Sequence, residues 1–155
     1  MFKKVLIALA VITTGLVGSC ALMLGGAAYR DAPANKAVAM EATRVMSRAW
    51  NMRDLRPYFT SDAVRQINFD KAQASMNVFK ALGELVSVKE SRQTEFHYNK
   101  QLGSEATKSA TVVIEAVFDN GPATVTVRLA NDGAVMKVVH IHVHAPGPLK
   151  ARQSA

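Results

Sequence analysis

Residues 110–144 read Ala110-Thr-Val-Val-Ile-Glu-Ala-Val-Phe-Asp-Asn-Gly-Pro-Ala-Thr-Val-Thr-Val-Arg-Leu-Ala-Asn-Asp-Gly-Ala-Val-Met-Lys-Val-Val-His-Ile-His-Val-His144. Apolar, largely β-branched side chains recur at alternate positions, the period of a strand with one wet and one buried face. Two turn signals cut the run. Asp119-Asn-Gly-Pro and Asn131-Asp-Gly supply the residue types that tight hairpin loops select, asparagine followed by glycine above all. The spacing predicts strands over 110–118, 123–130 and 134–144. Upstream, Leu85 to Tyr98 is a long run with polar alternation, and 99–105, with Gly103, reads as its turn into the next strand. Strands joined this closely form an antiparallel four-stranded meander.

Before Gly83 the period is helical. Val38, Ala42, Val45, Met46, Ala49 and Trp50 recur every three or four residues, which puts Trp50 on a buried face, while Lys36, Glu41, Arg44 and Arg48 fall elsewhere. Arg56-Pro57 interrupts this pattern. A short helix with Val64 and Ile67 follows, for which Ser61 or Asp62 is the expected cap. A third helix is expected from about Asp70 to Leu82, with Ala72, Met76, Phe79 and Leu82 inward and Gly83 as its stop. Helices followed by a meander imply an α+β layer fold, three helices packed on a curved four-stranded antiparallel sheet.

Between Val5 and Tyr29 the chain has 25 residues without a charge, preceded by Lys3 and Lys4. At ~1.5 Å per residue this exceeds the ~30 Å hydrocarbon core of a bilayer. Residues 1–29 are therefore expected to be a membrane segment or signal. As a retained transmembrane helix, its lysines keep the N-terminus in the cytoplasm and put the remainder outside. Alternatively Val17-Gly-Ser-Cys20 resembles a lipobox, in which Cys20 becomes the lipidated anchor, although the chain stays apolar beyond it. Cleavage after Ala28 is the third outcome. In each case the domain crosses the cytoplasmic membrane of a bacterium, and a periplasmic or other extracytoplasmic location is expected. Residues 30–35 read as a polar linker, 36–145 as the domain and 146–155 as a flexible tail.

Composition narrows the partners. The chain carries 19 basic and 12 acidic residues, a formal +7, and Cys20 is its one cysteine, which excludes an intramolecular disulfide and a cysteine-based zinc site. Arg44, Arg48, Arg53, Arg56 and Arg65 alternate with apolar positions and make no unbroken run. Without stacking aromatics along a basic stripe, nucleic acid is not an expected partner.

The helical start ending in Trp50-Asn-Met-Arg-Asp-Leu, the Phe79-Lys-Ala-Leu-Gly83 helix end leading into a long strand, and the two tight hairpins resemble the NTF2-like (cystatin-like, cone-shaped) superfamily, in particular its small bacterial envelope members. The resemblance covers about Lys36 to Ala145. It implies a curved sheet around a helix, leaving a cone that some members use for ligands or catalysis. Others, including inner-membrane assembly factors of type IV secretion, use the fold for protein contacts alone. An envelope partner or self-association is the use expected here.

The chemistry-bearing motif is His140-Ile-His-Val-His144. Alternation places the three imidazoles on one face, ~6.5–7 Å apart, with Val139, Ile141 and Val143 on the other. Zinc or copper can bridge two such neighbours but needs a further ligand, for which Glu115 or His97 are conceivable donors. Three imidazoles on one face also make a pH-responsive surface. The resemblance suggests an acid–base pair within the cone as the enzymatic alternative, and Asp54, Tyr58, His97, Tyr98 and His140 are its candidates. No phosphate loop, serine elbow or paired-carboxylate motif accompanies them. The expected function is that of a non-catalytic protein-interaction or small-ligand module, the alternative being a small metal-binding protein or enzyme built on the cone and the histidine strand.

Overall fold

Alternate residues of strand β2 (Thr107–Phe118) and strand β3 (Gly121–Asp132) disappear from solvent, and these positions set the architecture. Ala110, Val112, Ile114, Ala116 and Phe118 pair across the ladder with Leu129, Val127, Val125, Ala123 and Gly121, so one face of the sheet is continuously apolar. The computed structural model describes residues 30–146. With β1 (Leu85–Asn99) and β4 (Val135–His144) the four strands form one antiparallel sheet in the order β1-β2-β3-β4. This is the α+β meander that the turn signals imply. Residues 1–29, expected from the sequence to be a membrane segment or signal, with Cys20, and the tail from 147 lie outside the described residues, among which no helix is long and apolar enough to cross a membrane.

Helices cover the apolar face. Residues 30–49 are helical (α1), including the stretch 30–35 that reads as a linker. Alanines at 32, 34 and 37 favour helix there, and the buried Asn35 is fixed by its side-chain N–H donating to Gln93 Oε1 on β1 at 2.8 Å. The buried stripe of α1 is Asn35, Ala39, Ala42, Thr43, Met46 and Ser47. It is rotated from the expected apolar stripe: Ala49 is exposed and Val45 half-buried. Small residues at the contact let the helix lie close to the sheet. Thr43 Oγ1 donates to Ala39 O at 2.8 Å, and Ser47 Oγ both donates to Arg44 O and accepts from Leu85 N–H, whereas the buried Asn35 Oδ1 has no hydrogen-bond partner among the described residues.

Trp50 ends α1 in the left-handed region (φ 49°), a conformation in which most side chains are strained. Its ring is held between Phe79 (centroids 6.1 Å apart) and Phe118 (5.7 Å), and its indole N–H donates to Gly83 O at 2.8 Å. A turn then leads through Arg56–Tyr58 to Phe59, which pairs in parallel with Val138 and adds a short fifth rung beside β4. Helix α2 (Ser61–Gln66) is capped by Thr60, whose hydroxyl accepts from Ala63 N–H, and not by Ser61 or Asp62. Thr60 is the last extended residue before the turn, which is the geometry that a cap requires. Helix α3 (Phe69–Asn77) is capped by Asn68 and tightens into a 3₁₀ segment, Val78–Leu82, which Gly83 stops with φ 78°.

The alternation expected along β1 does not hold. Three register shifts against β2 leave Val86, Lys89 and Thr94 without a partner, so the inward residues are Leu85, Val88, Ser91, Gln93 and Phe96. Each extra residue reverses the parity of those after it and bends the strand. On β4 a single shift makes Val139 the extra residue, 41% exposed, while Ile141 and Val143 turn inward.

Candidate functional site

The second face of the sheet is where the sequence motif and the exposed polar groups meet. Reading across the strands by register, Glu95, Thr111, Arg128 and His140 form one row. Arg92, Val113, Thr126 and His142 form the next, and Glu90, Glu115, Thr124 and His144 the third. Alternation puts His140, His142 and His144 on one side of β4, the bulge at Val139 sets that side opposite to the buried Val138, and all three are exposed. The face is thus divided. Its β1–β2 half carries Glu90, Glu95 and Glu115, with Arg92 between Glu90 (3.8 Å) and Glu115 (3.9 Å). Glu95 also accepts from Thr111 Oγ1 at 2.9 Å. Its β3–β4 half carries Arg128 and the three imidazoles. The centre is β-branched: Thr111, Val113, Thr124 and Thr126, none of them fully buried.

The candidate metal donors are not drawn together. Glu115 lies two strands from β4, ~9–10 Å by strand spacing, and His97 lies on the opposite edge strand, ~14 Å away. Among the described residues no group of three or more His, Cys, Asp or Glu side chains is arranged to hold a metal ion. His140, His142 and His144 stand in line along one strand, each ~6.5–7 Å from the next.

The acid–base candidates are distributed as well. Asp54 is exposed in the turn after α1, and Tyr58 packs against the core at the end of the 3₁₀ segment. His97 and Tyr98 are consecutive on β1 and face opposite ways, while His140 is on the other edge of the sheet. A general base must come within ~2.6–3.2 Å of its proton, which this arrangement gives none of them with respect to the others. On the helical side the clefts are shallow. One of about 490 Å³ is lined by Arg53, Arg56, Phe59, Val64 and Lys137, and another of about 440 Å³ by Asn51, Asp70, Gln73 and Lys80.

One polar cluster escapes sequence reasoning. Asp132, at the β3–β4 turn, accepts from Lys137 Nζ at 2.9 Å and from the Ser61 backbone N–H (3.2 Å) and hydroxyl (3.0 Å). The Lys137 ammonium first, and then the Ser61 donors, hold its carboxyl below the usual carboxylate value. A folded-state pKa below the unfolded one gives stability that is present above the unfolded value and lost as pH falls through the folded one. Asp132→Asn is therefore expected to flatten the acid limb of the stability curve, below about pH 4, and to leave the neutral limb parallel to wild type. Denaturant melts of both proteins at stepped pH check this; a difference that stays constant down the acid limb contradicts it.

Comparison with protein-family models, with curated proteins and with solved structures finds no match to the chain.

Proposed function

We propose that this protein is a membrane-attached, extracytoplasmic NTF2-like domain of the bacterial envelope that acts by binding, not by catalysis. The reading is supported by the apolar segment 5–29 behind Lys3 and Lys4, which suits an inner-membrane helix with the domain in the periplasm, or a lipid anchor at Cys20. The helices-then-meander order suits the cone-shaped fold. The observation that carries the functional part is the separation of the acid–base candidates onto different faces and edges, set against one broad, polar, uncovered sheet face. Fold alone does not choose a function, and here the site residues point to contact rather than to chemistry.

Membrane fractionation with protease added to spheroplasts tests the location. The chain is expected in the membrane fraction, with its domain degraded only once the outer membrane is opened. Recovery of an intact, protease-resistant domain inside spheroplasts contradicts it. The intact mass of the membrane-derived protein then decides the anchor: a diacyl or triacyl adduct beginning at Cys20 identifies the lipoprotein, and an unmodified chain retaining earlier residues identifies the helix.

A further inference from the structure

We propose that the uncovered sheet face docks a second copy of this chain, face to face, about a two-fold axis running along the strands between β2 and β3. The inference rests on the reading of the protein as an interaction module and names its partner.

The argument begins with the division of charge across the face. The β1–β2 half holds Glu90, Glu95 and Glu115 with Arg92, His97 and, beside Glu115, Lys89, and the β3–β4 half holds Arg128, the N–H donors of His140, His142 and His144, and the Lys137–Asp132 pair. Arg92 is engaged by two of the glutamates, whereas Arg128 stands exposed beside His140 in the same row. A face that is acidic on one side and donor-rich on the other is complementary to itself, provided that the second copy is turned the right way.

Symmetry decides the turn. A two-fold axis along the strands, midway between the faces, exchanges left for right and keeps each row level with itself. It sets β1 of one copy over β4 of the other, Glu95 level with the partner's His140 and Glu90 level with the partner's His144. Thr111 of β2 then lies over the partner's Arg128, one strand from Glu95 and within reach of its carboxylate. The middle row sets Arg92 level with the partner's His142, and the row beyond Glu95 sets His97 level with the partner's Lys137; Arg92 keeps Glu90 and Glu115, and Lys137 keeps Asp132, as their own counter-charges. A two-fold axis across the strands would instead stack β1 on β1, and glutamates on glutamates. Like charges placed opposite each other cost enough to select one arrangement over another.

The centre of the face suits such packing. Thr111, Val113, Thr124 and Thr126 are short and β-branched, and present a level surface of the kind that aligned sheets bring to ~10 Å. Four strands at ~4.8 Å and five alternate rows at ~6.7 Å give on the order of 600 Å² of sheet per copy, ~1,200 Å² for the pair. That is the lower end of specific interfaces, sufficient for chains held side by side in one membrane.

The test uses the full chain in membranes, expressed as two copies with different tags. A photo-crosslinking benzoylphenylalanine replaces Thr126, beside the axis. The expected adduct joins the two tags and maps to β2 of the second copy. Arg128→Glu and Glu95→Arg are each expected to lower its yield about tenfold, and the double reversal to restore it, which a misfolded variant would not do. An adduct joining the chain to a different protein, or yields indifferent to the single reversals, overturns the second-copy proposal while leaving the binding reading intact. Protection of the domain inside spheroplasts removes that reading independently.

Discussion

Trp50→Ala is expected to remove about 3–5 kcal/mol of stability, the range for deleting a large aromatic from a packed core. The ring is 3% exposed, lies against Phe79 and Phe118, and donates its indole N–H to Gly83 O. Three segments distant in sequence meet on it: the end of α1, the 3₁₀ turn before β1, and the end of β2. The backbone there is strained as well, with φ at 49°, at a cost of about 1–2 kcal/mol that the ring's burial must exceed. Against a typical domain stability of about 5–15 kcal/mol the loss leaves little. Because Trp50 is the chain's one tryptophan, unfolding is best followed by far-ultraviolet circular dichroism in urea. Trp50→Phe keeps most of the packing but strands the Gly83 carbonyl, and about 1–2 kcal/mol is expected for it. A Trp50→Ala cost below about 1 kcal/mol would contradict this view of the core, since that is no more than one ordinary hydrogen bond.

The second large effect is expected from Gly83→Ala, at about 2–4 kcal/mol, combining a left-handed alanine with an overpacked contact. Gly83 has φ 78°, and a methyl group there would fall 2.5 Å from Asp119 Oδ2 and 2.7 Å from Asp119 Cβ. Asp119 has little freedom to withdraw. Its Oδ2 accepts from Glu84 N–H at 2.7 Å, and its own N–H donates to Glu84 O at 3.0 Å. The adjacent Asn120 closes the same junction onto Ala81 and Leu82. Asp119→Ala alone is expected to cost about 1 kcal/mol for the lost bond. The double variant should cost clearly less than the sum of the two, because the carboxylate that the methyl strikes is then gone. Simple additivity in chemical denaturation would mean that the backbone conformation, and not the contact, makes Gly83 necessary.

The parts of the fold legible in the sequence were those governed by local chemistry. The hairpin turns, at 119–120 and 133–134, fell within one or two residues of the asparagine, aspartate and glycine that announced them, and Gly83 marked the change from helix to strand. What the sequence concealed came from geometry that has no local signature. The bulges at Val86, Lys89 and Thr94 turned a nominally alternating strand into one whose inward residues step by three and two. Helix α1 buries Thr43 and Ser47 and exposes Ala49, because closeness to the sheet selects small side chains and a hydropathy period does not report size. The cap of α2 fell on Thr60, which is still held extended beside Val138, one residue before Ser61 and two before Asp62.

The site divides in the same way. That His140, His142 and His144 share a face followed from alternation within one strand. Whether Glu115 or His97 approached them depended on registers across two and three strand boundaries, which spacing along the chain cannot supply. The same registers place the glutamates opposite the histidine side of the outer face, so its polarity becomes visible only with the whole sheet in view.

The irregularity of β1 has a further consequence for how copies of this chain can accumulate. A straight edge strand is a template: its free N–H and C=O groups accept another strand, that strand offers the next edge, and growth has no end. Here one rim of the sheet is broken at three places, and part of the other is occupied by Phe59 and Thr60. Association through the rims is obstructed, whereas a two-fold contact through the face uses the surface completely and leaves nothing equivalent to extend. Under the proposed face-to-face pairing, crowded chains would form finite pairs and not filaments, because the interruptions in β1 obstruct growth through that rim.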